Sequence, residues 1–145
     1  MLESITCDGK QIALIVRHEY SAEGIHFFTP NTYSQQLGYM KRPTGYVIPP
    51  HVHNSVKREV EYTKEVLIIK RGVVRVDFYS EEQEYLFSST LRAGDITLLA
   101  YGGHGFEIIE EAEIIEIKQG PYAGDLDKTR FEPITADKIV FKDTL

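Results

Sequence analysis

Residues 45–72 read GYVIPPHVHNSVKREVEYTKEVLIIKRG, and the fold is decided here. His51 and His53 are two positions apart, and in extended chain that spacing turns both imidazoles to one face. A metal can take both. Pro49 and Pro50 donate no ladder hydrogen bonds, so a strand carrying these histidines must run at an edge or end at the mouth of a barrel. Glu65 opens EVLIIK, whose β-branched residues predict a strand, and Arg71-Gly72 predicts a tight hairpin at its end. If Glu65 faces inward, period two sends Leu67 and Ile69 with it and leaves Val66 and Ile68 on the other face. Both faces are then apolar, as expected of a strand inside a sandwich or at a subunit interface. A homodimer is the expectation.

Outward from this stretch, strand follows strand. Upstream, Ile12 to Arg17 predicts a first strand, Gly24 to Phe28 a second, and Ser34 to Lys41 a third, with Gly38 marking a bulge or a close approach of backbone. Tyr46 to Ile48 continue extended, and Asn54 to Thr63 alternate as an extra strand or a lid. Downstream, Val73 to Tyr79 returns from the hairpin with Val74, Val76 and Phe78 on one face. Tyr85 to Arg92 and the short buried run Ile96 to Leu99 follow. Gly102-Gly103 then bends the chain into a strand that begins at His104, with Phe106 and Ile108 on its face. Glu110 to Glu113 predicts one more hairpin and Ile114 to Gln119 the last clear strand. Strands of five to eight residues, turn signals about every ten residues and no amphipathic helix predict an all-β sandwich or barrel. After Gln119 the chain is turn-rich, and Phe131 to Phe141 is expected to wrap over the sheet as a short strand or helical turn.

Three neutral imidazoles, those of His51, His53 and His104, with the carboxylate of Glu65 make a borderline nitrogen and oxygen donor set. It suits a divalent transition metal, and donor softness does not choose among iron, manganese, nickel, zinc and copper. Glu59 and Glu61 are rival carboxylates on what reads as an exposed charged face. His18 reads as a surface or hairpin-end residue, and His26, between Ile25 and Phe27, as structural or exposed. The competing reading of the donor set is a group of hydrogen-bonded barrel residues without metal.

At these residues the chain resembles the cupin superfamily, small jelly-roll barrels that hold a metal on the inner wall. Gly45, five residues, His51-Val52-His53, then Glu65, six residues and Gly72 follow the fixed intervals of the first cupin motif. The spacer Asn54 to Lys64 is eleven residues where cupins commonly have three or four, which implies a longer loop or an extended hairpin. Gly94, Ala100 in place of proline, Gly102-Gly103 and His104 resemble the second motif, one residue short. KQGPYAGDLDKTRF also resembles a tail seen in a subset of small bacterial cupins. The resemblance implies a single domain over residues 1–145, with a core at about 34–119, N-terminal strands at 11–28 and a tail at 120–145. It implies His51, His53, Glu65 and His104 as metal ligands. It also implies an enzyme acting on a small oxygenated molecule, such as an isomerase or dioxygenase, with a carbohydrate or nucleotide-sugar substrate. The alternative is a non-catalytic metal- or small-ligand-binding module acting as sensor or scaffold. Fold does not fix reaction.

Composition sets the outer bounds. The 145 residues suffice for one substantial core, and no run approaches the ~18 apolar residues of a membrane helix. MLESITCDGKQ has neither a basic nor an apolar region of a secretory signal. Cys7 is the sole cysteine, which excludes an intrachain disulfide and suits a cytoplasmic location. A net charge of −6 argues against nucleic-acid binding, which needs a basic face. Lys57-Arg58 still offers a local site for an anionic small molecule. Ser88-Ser89 and Cys7 have no patterned catalytic partner, and Gly102-Gly103 lacks the Lys-Ser/Thr of a phosphate loop. Gln36, Tyr39, Tyr101 and Gln119 are candidate polar groups of a pocket wall.

Overall fold

The computed structural model describes residues 1–142. Its strands in chain order are β1 (Leu2–Cys7), β2 (Lys10–Val16), β3 (Gly24–Phe27), β4 (Gly38–Lys41), β5 (Glu65–Tyr79), β6 (Tyr85–Arg92), β7 (Ile96–Leu99) and β8 (Gly103–Lys118). The main sheet runs β1-β2-β7-β5-β6 with β8 along the other side of β5, and β3 pairs with β4 separately. Every ladder between these strands is antiparallel. The chain is therefore all-β, built on a curled antiparallel half-barrel.

The curl originates in β5. Leu67, Ile69, Val74, Val76 and Phe78 belong to one buried cluster, although strict alternation would put Ile69 and Val74 on opposite faces. One extra residue must be absorbed between them. Gly72 absorbs it with φ +85°, and the ladder to β8 slips on both sides of Arg71, as at a β-bulge. Arg71-Gly72 therefore does not close the predicted hairpin, and β5 runs straight through it. The same holds for Glu110 to Glu113, which lies inside β8. The two irregular stretches face each other, with Arg71 opposite Glu113 and Val73 opposite Glu110. A glycine beside charges marks a hairpin tip and a paired bulge alike, and the partner strand decides which forms.

The bent ribbon brings its own ends together. His104 pairs with Phe78 and Lys118 with Glu65, and a straight strand would hold Glu65 and Phe78 about 43 Å apart. Instead His104 touches Glu65, with Nε2 to Oε2 at 3.2 Å. The inner core inside this curl gathers Ile5, Ile12, Ala13, Ile15, Leu91 and Leu99 with the β5 residues.

The outer face of β2, β7 and the first half of β5 is apolar too. Leu14, Val66 and Leu98 are buried there against Phe28, Tyr33, Leu37, Ile68 and Ile96. The second apolar face of β5, which suggested a subunit interface, is thus largely covered by the chain's own residues 28–37. The homodimer expectation loses that ground.

On the outer face of the second half of β5, polar groups replace apolar ones and are paired. Arg75 donates from Nε to Asp77 Oδ1 at 2.8 Å and from Nη2 to Oδ2 at 3.1 Å. Ser88 Oγ donates to the same carboxylate at 2.5 Å, and Glu107 faces Arg75 Nη1 at 2.5 Å. The tail docks here, with Ser88 N donating to Val140 O at 2.8 Å. It carries short 3-10 turns at Gly124–Asp127 and Ala136–Lys138 and a bridge from Phe141 to Ser88, in keeping with the expected wrapping.

Other expectations shift at the ends. β1 precedes the expected first strand, and β4 begins only at Gly38. Residues 46–48 and 54–63 form no strand. β8 pairs on one side only, and its Phe106, Ile108, Ile109, Ile114, Ile115 and Ile117 are each between 37% and 52% exposed. Five glutamates interrupt that strip, the kind of charge that discourages edge-to-edge pairing. Among the described residues no helix is long and apolar enough to cross a membrane.

Candidate metal centre

The four expected ligands fall into two pairs. Glu65 and His104 are brought together across the ends of the bent ribbon, at 3.2 Å. Lys118 stands on the other side of the carboxylate, Nζ to Oε1 at 3.6 Å, and also meets Asp127 at 3.1 Å. The hydrogen bond from His104 holds Glu65 below the usual carboxylate range, with help from Lys118 and against the opposing effect of burial. Phe106 flanks the His104 ring at 5.6 Å.

His51 and His53 are neighbours on the exposed arm between β4 and β5, their rings 5.2 Å apart and edge to face. His51 Nδ1 lies 3.0 Å from the Pro49 carbonyl. A carbonyl only accepts, so Nδ1 carries the proton, and in the neutral ring Nε2 is then the lone-pair nitrogen. That arrangement is the one a metal-binding histidine needs. Among the described residues, His18, Glu19 and Asp95 form the one set of three such donors within 4.8 Å of one another. The arm histidines are therefore not gathered with Glu65 and His104 in this conformation.

The fit of a metal can be tested on the pair that is in place. Two ligand atoms in adjacent positions around a metal, with bonds of about 2.1 Å, lie roughly 3.0–3.4 Å apart. The 3.2 Å between His104 Nε2 and Glu65 Oε2 falls in that range as well as in hydrogen-bond range, and a divalent transition metal would take the place of the proton that Nε2 shares with the carboxylate. His51 and His53 would complete the set.

The cluster at His18 was not foreseen. Its Asp95 is already engaged by Arg17 Nη1 at 3.0 Å and by the backbone N–H groups of His18 and Arg92, each at 2.9 Å. Arg17 also holds Glu3 at 2.7 Å and Thr90 O at 2.6 Å. This is a network that ties β1 and β2 to the β6–β7 turn. His26 Nε2 bonds to Glu23 O at 2.7 Å, a local structural role. Of the pocket candidates, Gln36 is spent on Thr29, Pro30 and Tyr33, and Tyr39 packs edge-on against Tyr20. The Gln119 backbone N–H bonds Lys64 O at 2.9 Å. Tyr101 alone of the four lines a cleft, together with Lys10, Tyr33, Tyr62 and Lys64. Those four residues have no sequence motif and became visible only when the fold placed them together.

The class defined by this geometry is an all-β half-barrel with a carboxylate–imidazole pair where its longest ribbon closes on itself. Comparison with protein-family models, with curated proteins and with solved structures finds no match.

Proposed function

We propose that this chain is a metal-binding cupin of jelly-roll architecture, an enzyme on a small oxygenated molecule in a reducing, cytoplasmic setting. His51, His53, Glu65 and His104 hold one divalent transition metal. The observation that carries the reading is the Glu65–His104 pair, held at ligand-to-ligand distance by two halves of one bent ribbon. The His51 tautomer supports it. So does the apolar surface that Phe106 and Ile108 expose beside His104, because the arm exposes Val47, Ile48 and Val52 in turn. Closing the arm over the mouth would bury both sets and carry the two histidines toward the pair.

A bound divalent ion supplies Lewis acidity toward a substrate oxygen. The chain's own residues do the rest. Lys118 balances the Glu65 charge, Phe106 and Ile108 exclude water from one wall, and the arm orders around what binds. Metal analysis after loading and desalting tests the proposal. One ion per chain is expected for the wild type, with loss in Glu65→Ala, His104→Ala and His51→Ala. Equal metal retention by His51→Ala, or a metal-free wild type, would sink it. Oxygen uptake or isomer formation across a substrate panel separates the enzyme from a sensor or scaffold, which would bind tightly without turnover.

A further inference from the structure

Beside the start of β5 lies a cleft of about 730 Å³, within the range of small-molecule sites. In a chain of net charge −6, its lining includes two lysines, Lys10 and Lys64, and no carboxylate. Phe28, Tyr33, Tyr62 and Tyr101 supply aromatic walls.

The rings are fixed. Tyr33 Oη donates to Gln11 Oε1 at 2.9 Å, Tyr101 donates to Glu81, and Tyr62 meets Tyr101 edge-on at 5.2 Å. The amines are not so engaged. Lys10 Nζ sits 4.4 Å from the Tyr101 ring centre and donates only to its hydroxyl, at 3.1 Å. Lys64 Nζ stands 5.0 Å over the Tyr33 ring. Among the described residues neither lysine has a carboxylate within ion-pair distance, whereas Lys41 and Lys118 both do. An ammonium has three donors, so most of this hydrogen-bonding capacity is unspent. Glu81 is not a lining residue and bonds to Tyr101, although its charge is also felt at Lys10.

Two cations held against tyrosine faces, with flat walls between them, complement a ligand that is both planar and polyanionic. We propose that this cleft binds a nucleoside diphosphate, the base against the aromatic walls and the phosphates between Lys10 and Lys64. This names a ligand class for the small oxygenated molecule of the preceding reading and rests on that reading for any catalytic role. Binding itself needs no metal. It is therefore measured with excess EDTA, so that failure of the metal centre cannot pass for failure of the cleft.

Isothermal titration of the full chain with UDP and ADP, and with uridine and inorganic pyrophosphate as separate arms, decides it. One site per chain is expected for at least one of the nucleotides, about tenfold or more tighter than for nucleoside or pyrophosphate alone. Lys10→Gln and Lys64→Gln should each weaken it about tenfold, the order of one lost charge-assisted contact, and Lys10→Arg should restore most of it. Absence of saturable nucleotide binding overturns the proposal. So does pyrophosphate binding as tightly as the nucleotides, or unchanged affinity in the two glutamine variants.

Discussion

Replacing Gly72 with alanine probes the bend on which the candidate metal centre depends. Two costs arise. Gly72 has φ +85°, and an L side chain in that left-handed region costs about 1–2 kcal/mol. A Cβ there would also stand 2.1 Å from the Glu111 carbonyl oxygen and 2.7 Å from Ala112 Cα. Both are backbone atoms of the partner strand and cannot rotate away, so the ribbon itself must shift, at about 1–3 kcal/mol by analogy with overpacked cores. The sum is about 2–5 kcal/mol, or roughly 8–20 °C in Tm for a domain of this size. Gly9→Ala is the matched control, since Gly9 has φ +76° and nothing within 4 Å of the added Cβ. It should show the left-handed cost alone, roughly 4–8 °C. Any stiffening of the unfolded chain is common to both variants and cancels. Thermal unfolding followed by circular dichroism makes the comparison. A Gly72→Ala protein melting no lower than Gly9→Ala would refute the claim that strand-to-strand closeness at the bulge is what requires glycine.

Asp77→Ala leaves the Arg75 guanidinium without its two-point partner and Ser88 Oγ with Tyr85 Oη in place of two partners, so urea unfolding should show a loss of about 3 kcal/mol. A loss below about 1 kcal/mol would mean that Glu107 alone satisfies the arginine. Thr97 is fully buried and its Oγ1 has no hydrogen-bond partner among the described residues. Thr97→Val keeps the shape and removes an unsatisfied polar atom, so stability should rise by about 1 kcal/mol, and a fall would reveal a partner for the hydroxyl. Thr63, which donates to it, and the Lys118 ammonium hold the Asp127 carboxyl below its ordinary value. A depressed carboxyl stabilises the folded form above its unfolded pKa and loses that contribution as pH falls through the lower folded one. Exchange of the Gln119 amide, bonded to Lys64 O, should therefore accelerate only below about pH 4. In Asp127→Asn that acid-dependent step should vanish, and its persistence would assign the loosening elsewhere.

The inward set of β5 was legible in the sequence because alternation is local. Leu67 and Ile69 are in the inner cluster, Val66 is in the outer one, and Ile68 packs against it. Val74, Val76 and Phe78 follow for the same reason. What alternation cannot report is whether a glycine between two strands ends the pairing or only bends it. The hairpins predicted at Arg71-Gly72 and at Glu110 to Glu113 failed on that point, whereas the chain does turn at residues 80–84 between β5 and β6. β1 was missed because Glu3, Ser4 and Thr6 dilute its pattern, and it forms on β2 with one well-buried residue, Ile5. In the candidate site, the resemblance implied four ligands around one point, and of these Glu65 and His104 stand 3.2 Å apart. The arm histidines were read as neighbours of each other, which they are, but they stand on an exposed arm, and no local pattern encodes whether such an arm packs on the sheet. Lys10, Tyr33 and Lys64 come from three separate segments, and only the three-dimensional fold makes them one wall.

β5 is flanked along nearly all of its length, by β7 then β6 on one side and by β8 on the other. Inserting or deleting a single residue within it would invert every side chain beyond the change relative to two ladders at once. The spacing from Glu65 to Tyr79 is consequently frozen, whereas the unpaired arm of residues 42–64 can lengthen or shorten at small entropic cost. Variation in size among proteins built on this plan should collect in that arm, and the ribbon should keep a constant count.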